Sequence, residues 1–304
     1  MIILLLAALC LPAAAQQDSL LVMFWNLENF FDCRSDGPEA PDREFSPLGA
    51  KHWTRRRFRI KCNAVCKTIL LAADSFGKLP DAIGFAEIEN RDVLEDLILE
   101  TSLRKLGYRI VHYDSHDHRG IDCALLYRKS TLDLTDSKPL HLYGTDGEIL
   151  PTRDILLARF GGFAILVNHH PSKVGEGSSQ RRGTAMERMD GACDSLRAAG
   201  VERVLCIGDF NEDLWDSGHS SGTIKYEGLW EKIDGCFLRG PGQVRESVFD
   251  HPSLLTKDAA YGGTKPLRTY SGPRWLGGVS DHLPILIKVA QHADEPHVVQ
   301  QKDF

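Results

Sequence analysis

After Thr54, apolar residues recur at Phe58, Cys62, Val65, Ile69 and Ala72. Steps of 4, 3, 4 and 3 trace one face of an α-helix. A second stripe runs through Arg181–Ala199, with Ala185, Met189, Ala192, Leu196 and Ala199 toward a core and Gly200 as the stop. A third helix is expected from Arg91 to about Lys105. Other apolar stretches are short and continuous, as in strands buried on both faces. They are LLVMFWN from Leu20, DAIGFAE from Asp81, VERVLCIGDFN from Val201 and LPILIKV from Leu283. Tyr108–Tyr113, Ile121–Tyr127, Ile155–Arg159 and Phe163–His169 also read as strands, the last two forming a hairpin around Gly161-Gly162. Asp32 to Ala50 is a polar loop rich in Asp, Gly and Pro.

Several of these strands end in a chemically able side chain: Asn26, Glu87, His169 and Asp209. One such residue is an ordinary cap or turn residue. Four at the ends of apolar strands mark a sheet edge that gathers a site, because strand-end loops carry chemistry on a rigid scaffold.

Composition narrows the class. The chain has 304 residues, 42% hydrophobic and 26% charged, enough for one large core. A formal net charge of −6 gives no global field for polyanions, so any hold on nucleic acid must be local. The leader MIILLLAALCLPAAA reads as a signal peptide over residues 1–15, cleaved after Ala15, which predicts a secreted or periplasmic protein. The folded region is then expected over 18–290, followed by a polar tail, 291–304. No later stretch has the ~18 apolar residues of a membrane helix, so stable membrane insertion is not expected. Removing Cys10 leaves seven of the 8 cysteines, and the absence of a CxxC pair argues for free thiols, with Cys123, Cys193 and Cys206 in apolar patterns. The basic run Arg55, Arg56, Arg59 and Lys67 lies opposite the apolar stripe of its helix and reads first as a solvated face.

The polar inventory indicates hard-cation chemistry. Asn26, Glu87, Asp209, Asn211 and Asp281 offer oxygen ligands without zinc-type Cys/His spacing, a set suited to Mg²⁺, Mn²⁺ or Ca²⁺. His169 and His282 add imidazoles that titrate near neutrality. Together they suit attack of water on a phosphate ester.

The motifs follow an order. WNLENFFD begins at Trp25, GFAEIENR at Gly84, RGIDCALLYR at Arg119, VNHHPSK at Val167, GDFNED at Gly208 and SDHLPI at Ser280. In this order the chain resembles the endonuclease/exonuclease/phosphatase superfamily of DNase I-like enzymes, in particular a bacterial extracellular branch. The resemblance implies a four-layer α/β sandwich: two packed, mostly antiparallel sheets flanked by helices. It implies a metal site at Glu87, Asn26 and Asp281, with Mg²⁺ as the expected ion. It implies that Asp209 and Asn211 position water and a phosphate oxygen, and that His282 is the catalytic imidazole. His169, following Asn168, matches the family's phosphate-binding or leaving-group histidine better than His170, which otherwise packs beside the site. An Asp orients the SDH histidine in the family, and Asp234 is preferred here over Asp250.

Arg119, Asp122 and Lys173 are secondary phosphate-binding candidates, each with an equal reading as a turn or surface residue. Glu28, two residues past Asn26, is a minor ligand candidate on the same strand face. Tyr270 and Trp275, before the SDH turn, either stack a substrate ring or pack on the sheet. The resemblance implies a monomeric phosphodiesterase or nuclease acting on nucleic acid or another phosphodiester. A phosphatase or sphingomyelinase-like phospholipase C is the second reading, and a catalytically silent binding module the third.

Overall fold

A computed structural model describes residues 19–34, 37, 40–173, 175, 177–214 and 222–290. The expected signal peptide and polar tail lie outside these residues. The principal strands are β1 (Leu20–Phe30), β2 (Ala82–Ile88), β3 (Tyr108–His112), β4 (Asp122–Arg128), β5 (Asp136–Leu140), β6 (Ile155–Phe160), β7 (Phe163–His169) and β8 (Arg203–Asp209). The helices are α1 (Arg55–Phe76), α2 (Arg91–Leu99) and α3 (Ser178–Ala198).

Two sheets result. The six-stranded sheet runs Val244–Val248, Ile285–Val289, β1, β2, β4, β3, and the five-stranded sheet runs Asp234–Arg239, β8, β7, β6, β5. Each is antiparallel except for one interior parallel pair, β1 with β2 and β7 with β8. In each pair the chain crosses over through a helix, α1 in one sheet and α3 in the other.

Alternation along the strands explains the layers. In β1, Val22 and Phe24 face the other sheet, while Leu21, Met23 and Trp25 face Phe58, Cys62, Val65 and Ile69 of α1. In β7, Ile165 and Val167 face the other sheet, while Ala164 and Leu166 meet Ala185 and Met189 of α3. Burial on both faces is why these strands read as unbroken apolar runs. Gly84 leaves room for the facing sheet, since a Cβ there would stand 2.7 Å from Ile207 Cδ1. The expected four-layer sandwich is therefore the observed one.

Three details differ from expectation. The helix expected from Arg91 to Lys105 breaks after Leu99, where Thr101 Oγ1 donates to Leu97 O and accepts from Leu103 N, starting a separate 3₁₀ turn, Ser102–Lys105. Ala199 is exposed and not on the core face of α3. Strands β5, Asp234–Arg239 and Val244–Val248 were not expected; all three are edge strands, and β5 and Val244–Val248 alternate between exposed and half-buried residues along most of their length. All seven cysteines of the described residues are free. No helix among the described residues is long and apolar enough to cross a membrane.

Candidate active site

The site continues the core between the sheets. Val22, Phe24 and Asn26 alternate onto the inner face of β1, as do Ile165, Val167 and His169 on β7 and Leu205, Ile207 and Asp209 on β8. Asp234 pairs directly with Asp209 across the two strands and so shares that face. The apolar filling between the sheets thus ends in four polar side chains at one edge, all at least nine-tenths buried. Glu87 joins them by a different route. Strict alternation would point it toward the helices, but β2 slips register between Phe85 and Ile88 and Glu87 takes φ 63°. A matching slip between Asn26 and Phe30 bends β1. Glu28, Asn29, Glu87 and Asn211 are four of the six non-glycine residues with positive φ among those described. Such backbone costs on the order of 1–3 kcal/mol per residue and concentrates where function holds it in place.

Asp209 is the hub. Its Oδ2 accepts from Asn26 Nδ2 at 3.1 Å and stands 3.8 Å from His169 Nε2 and 3.9 Å from His282 Nε2. Its Oδ1 accepts from the Asn211 backbone N–H at 3.0 Å. Burial, and then the negative charge of Asp234, push its carboxyl up to about 7. Gly208 beside it has no room for a side chain, because a Cβ would meet Asn168 O at 2.4 Å.

His282 and Asp234 form a dyad. His282 Nδ1 donates to Asp234 Oδ2 at 2.8 Å, leaving Nε2 facing Asp209. Burial opposes the imidazolium, but the charge and hydrogen bond of Asp234 outweigh it and hold the histidine well above its ordinary range. The turn carrying His282 is fixed from β1: Ser280 Oγ donates to Asn26 O at 2.7 Å, and Trp25 Nε1 donates to His282 O at 2.9 Å. His169 behaves oppositely. Burial, then the charges of Arg153 and Arg119, drive its pKa well below the usual value, so it is neutral.

The carboxylates of the proposed metal end are held by cations. Glu87 Oε2 accepts from the Asn29 N–H at 2.7 Å and its Oε1 lies 3.4 Å from Arg119 Nη2. Burial pushes Glu87 up, but Arg119 and that N–H more than offset it and leave the carboxyl below its ordinary value. Asp281 Oδ2 pairs with Arg268 Nη2 at 3.0 Å, and Arg268 Nε also donates to Glu28 Oε1 at 3.0 Å. Glu28, pushed up to about 7 by burial and by Asp281, lies on this network rather than beside Asp209.

Two buried cations of the site are not evident in the motifs. Lys61 is buried in the apolar stripe of α1, and its Nζ donates to Glu28 O at 2.8 Å and Thr269 Oγ1 at 3.0 Å. Burial lowers its pKa to about 8, against the charges of Glu28, Glu87 and Asp281. A lysine between Phe58 and Cys62 is the available sequence signal. Arg153 precedes β6 and donates to His170 O at 2.9 Å while pairing with Asp117 at 3.2 Å. Because β6 and β7 are antiparallel, the start of β6 lies at the edge where β7 ends.

The secondary candidates separate. Arg119 lies at the site, donating to Asn29 Oδ1 at 2.8 Å beside Glu87. The Asp122 carboxylate turns away, accepting from the Ser115 N–H at 3.0 Å and lying 3.5 Å from His112 Nε2. Lys173 Nζ pairs with Glu231 at 2.6 Å. His170 packs edge-on against Phe210, with ring centroids 5.1 Å apart. Asn211 Nδ2 donates to His170 O at 2.9 Å, tying the loops after β7 and β8 together. Tyr270 is tucked in, its hydroxyl donating to Lys51 O at 2.9 Å, and Trp275 lies under the Arg57 guanidinium. Arg55 and Arg59 pair with acids of α2 and its C-terminal turn.

Two cavities flank Asn29. One, about 440 Å³, is lined by Asn29, Phe31, Arg43, Phe45, His118 and Arg119. The other, about 90 Å³, is lined by Glu28, Asn29, Phe45, Lys51, Arg268 and Tyr270.

The comparisons agree with this architecture. No curated protein sequence matches the chain. Among solved structures, a functionally unknown conserved protein from Enterococcus faecalis V583 is similar, at TM-score 0.54 and 16% identity over 89% of this chain and 99% of that one. D. rerio TDP2 complexed with single-strand DNA product aligns at TM-score 0.50 and 15% identity, over 89% of this chain and 98% of that one. The mannosyl-6-phosphatase Bt3783 of Bacteroides thetaiotaomicron VPI-5482 aligns at TM-score 0.50 and 16% identity, over 89% and 99%. At these identities the likeness is one of fold. The profile of the Endonuclease/Exonuclease/phosphatase family matches residues 21–234 and 242–291. The chain therefore belongs to the endonuclease/exonuclease/phosphatase family, a superfamily of divalent-metal-dependent phosphoesterases.

Proposed function

We propose that the chain is a phosphodiesterase, with nucleic acid as its substrate class and Mg²⁺ as its ion, Mn²⁺ or Ca²⁺ serving in its place. The observation that carries this reading is Asp209 Oδ2, set 3.8 Å from His169 Nε2 and 3.9 Å from His282 Nε2 with the Asp234 carboxylate behind the second ring. The donor set fits a hard cation: the Glu87 and Asp281 carboxylates and the Asn26 amide are oxygen donors with no thiolate among them. Glu87, Asn26 and Asp281 would hold the ion, which when bound supplies positive charge against the negative charge on the phosphoryl oxygens.

The remaining roles belong to the protein. Asp209 orients the attacking water, with Asn26 Nδ2 and the Asn211 N–H fixing the carboxylate. His282, kept protonated by Asp234, presents Nε2 to a phosphoryl oxygen. Neutral His169 binds the phosphate beside it, donating its N–H to a phosphoryl oxygen. The paired cavities on either side of Asn29 favour a diester, since each offers room and cationic side chains for one arm of the substrate. Export with cleavage after Ala15, and action as a monomer, complete the reading.

One screen tests it: hydrolysis of DNA, RNA, sphingomyelin, phosphoinositides and a sugar monophosphate with added Mg²⁺, using Asp209→Ala as the blank. Cleavage of a nucleic acid that the variant lacks supports the proposal. Turnover confined to the monophosphate, or equal in both proteins, refutes it. N-terminal sequencing of the mature protein tests export, and Met1 at its start would count against it.

A further inference from the structure

We propose that His116, His141 and Asp154 form a second divalent-metal site, separate from the carboxylate edge and selective for a transition ion such as Zn²⁺. His116 lies in the loop between β3 and β4, and His141 and Asp154 stand at the two ends of the connection between β5 and β6. One ligand atom from each lies within 4.8 Å of the other two. His141 Nδ1 is 2.9 Å from Asp154 Oδ2, and the two imidazole rings meet edge to face with centroids 5.6 Å apart. Ligands 2.0–2.1 Å from a tetrahedral ion stand about 3.3 Å apart, so small adjustments bring all three into coordination.

A second observation points to a ligand. Asp154 is more than nine-tenths buried, yet its Oδ1 has no hydrogen-bond partner among the described residues. His116 is exposed and His141 half-buried, so an ion can reach the carboxylate from solvent. Two imidazoles and one carboxylate favour zinc over magnesium, which prefers oxygen ligands and retains its waters. Three protein ligands leave a fourth position for water. Binding at His141 Nδ1 displaces the proton now shared with Asp154, which leaves to solvent.

Placement gives the site its consequence. His116 precedes Asp117 and Asp154 follows Arg153, and Asp117 and Arg153 form the buried ion pair that holds His170 O. An ion bridging His116 and Asp154 therefore adds a second fastening beside that pair. It steadies the loop behind the catalytic histidines without touching them.

The test is zinc titration of the full chain by calorimetry and native mass spectrometry, with millimolar Mg²⁺ present to fill the hard-cation site. The wild type should take up one Zn²⁺ per chain, and Glu87→Gln should retain it. His116→Ala and His141→Ala should each weaken binding by at least about 100-fold, since even an outer-shell partner is worth ~10–100-fold. His116 is exposed, so its variant keeps the fold, and a circular-dichroism melt verifies this. Added Zn²⁺ should raise the melting temperature of the wild type and not of His116→Ala. Zinc uptake unchanged in both histidine variants, absent in the wild type, or lost in Glu87→Gln alone overturns the proposal.

Discussion

Asp234 and His282 lie 48 residues apart and meet through a single 2.8 Å hydrogen bond. One belongs to the five-stranded sheet and the other to the turn that leads into the last strand of the six-stranded sheet. The bond bridges the sandwich at its polar edge and fixes which nitrogen of His282 faces Asp209. Replacing His282 with Ala should lower turnover on the order of 10²–10⁴-fold. Asp234→Asn acts through the same ring, so the double variant should lose less than the product of the two single losses. Steady-state kinetics of the four proteins decides it; fully multiplicative losses would show that the pair does not act as a unit.

Glu87 reaches the site through a register slip and a left-handed backbone, so its aim is specific. Glu87→Gln keeps the size and removes the charge. We expect activity to vanish in excess chelator for the wild type, and the variant to need a much higher metal concentration for half-maximal rate. Metal-titration kinetics reads both. Full activity of the wild type in chelator would refute the metal assignment.

His170 is an acid-sensitive point of the fold, as is His169 beside it. The His170 ring is buried with neither nitrogen hydrogen-bonded among the described residues. Burial, with Arg153 and Arg182 adding to it, lowers its pKa from 6.5 to about 4. In the unfolded chain the ring takes up a proton below about 6.5, which the folded chain refuses until about 4. The unfolded state binds more protons in that window, so stability falls as pH drops through it and is fully present above it. The loss from this one group is on the order of 3 kcal/mol. Urea denaturation at pH 7 and pH 4.5 should show a smaller drop for His170→Gln than for the wild type. An equal drop would discount His170 as the source.

Cys193 on α3 and Cys206 on β8 place their sulfurs 3.4 Å apart in the core. A mild oxidant should join them and leave the other thiols free. Peptide mapping by mass spectrometry should find that single cross-linked pair, and a different pair would show that contact in the fold does not govern oxidation here.

Much of this was readable in the chain. The runs ending in Asn26, His169 and Asp209 carry their own alternation, so each strand's last inward residue is a site residue. The SDH turn follows from motif order, and its orienting acid from the family resemblance, which preferred Asp234 to Asp250. What escaped depends on contacts distant in sequence. Lys61 resembles any helix lysine until Glu28 and Thr269 are seen to enclose it. Arg153 matters because a hairpin returns its strand start to the site edge. The unexpected strands β5 and Val244–Val248 have one side open to solvent, which weakens their apolar signal, and β5 contains Pro139.

The first and last strands of the sandwich lie side by side, with Leu20 opposite Val289 and Phe24 opposite Ile285. Asn26 and His282 thus enter the same site from segments far apart in sequence. A ribosome must release the strand Ile285–Val289 before that pairing can form. Until then the emerging protein carries Glu87, His169 and Asp209 without the imidazole that Asp234 orients. Synthesis itself delays the chemistry, and a chain ending before Ser280 would be born without it.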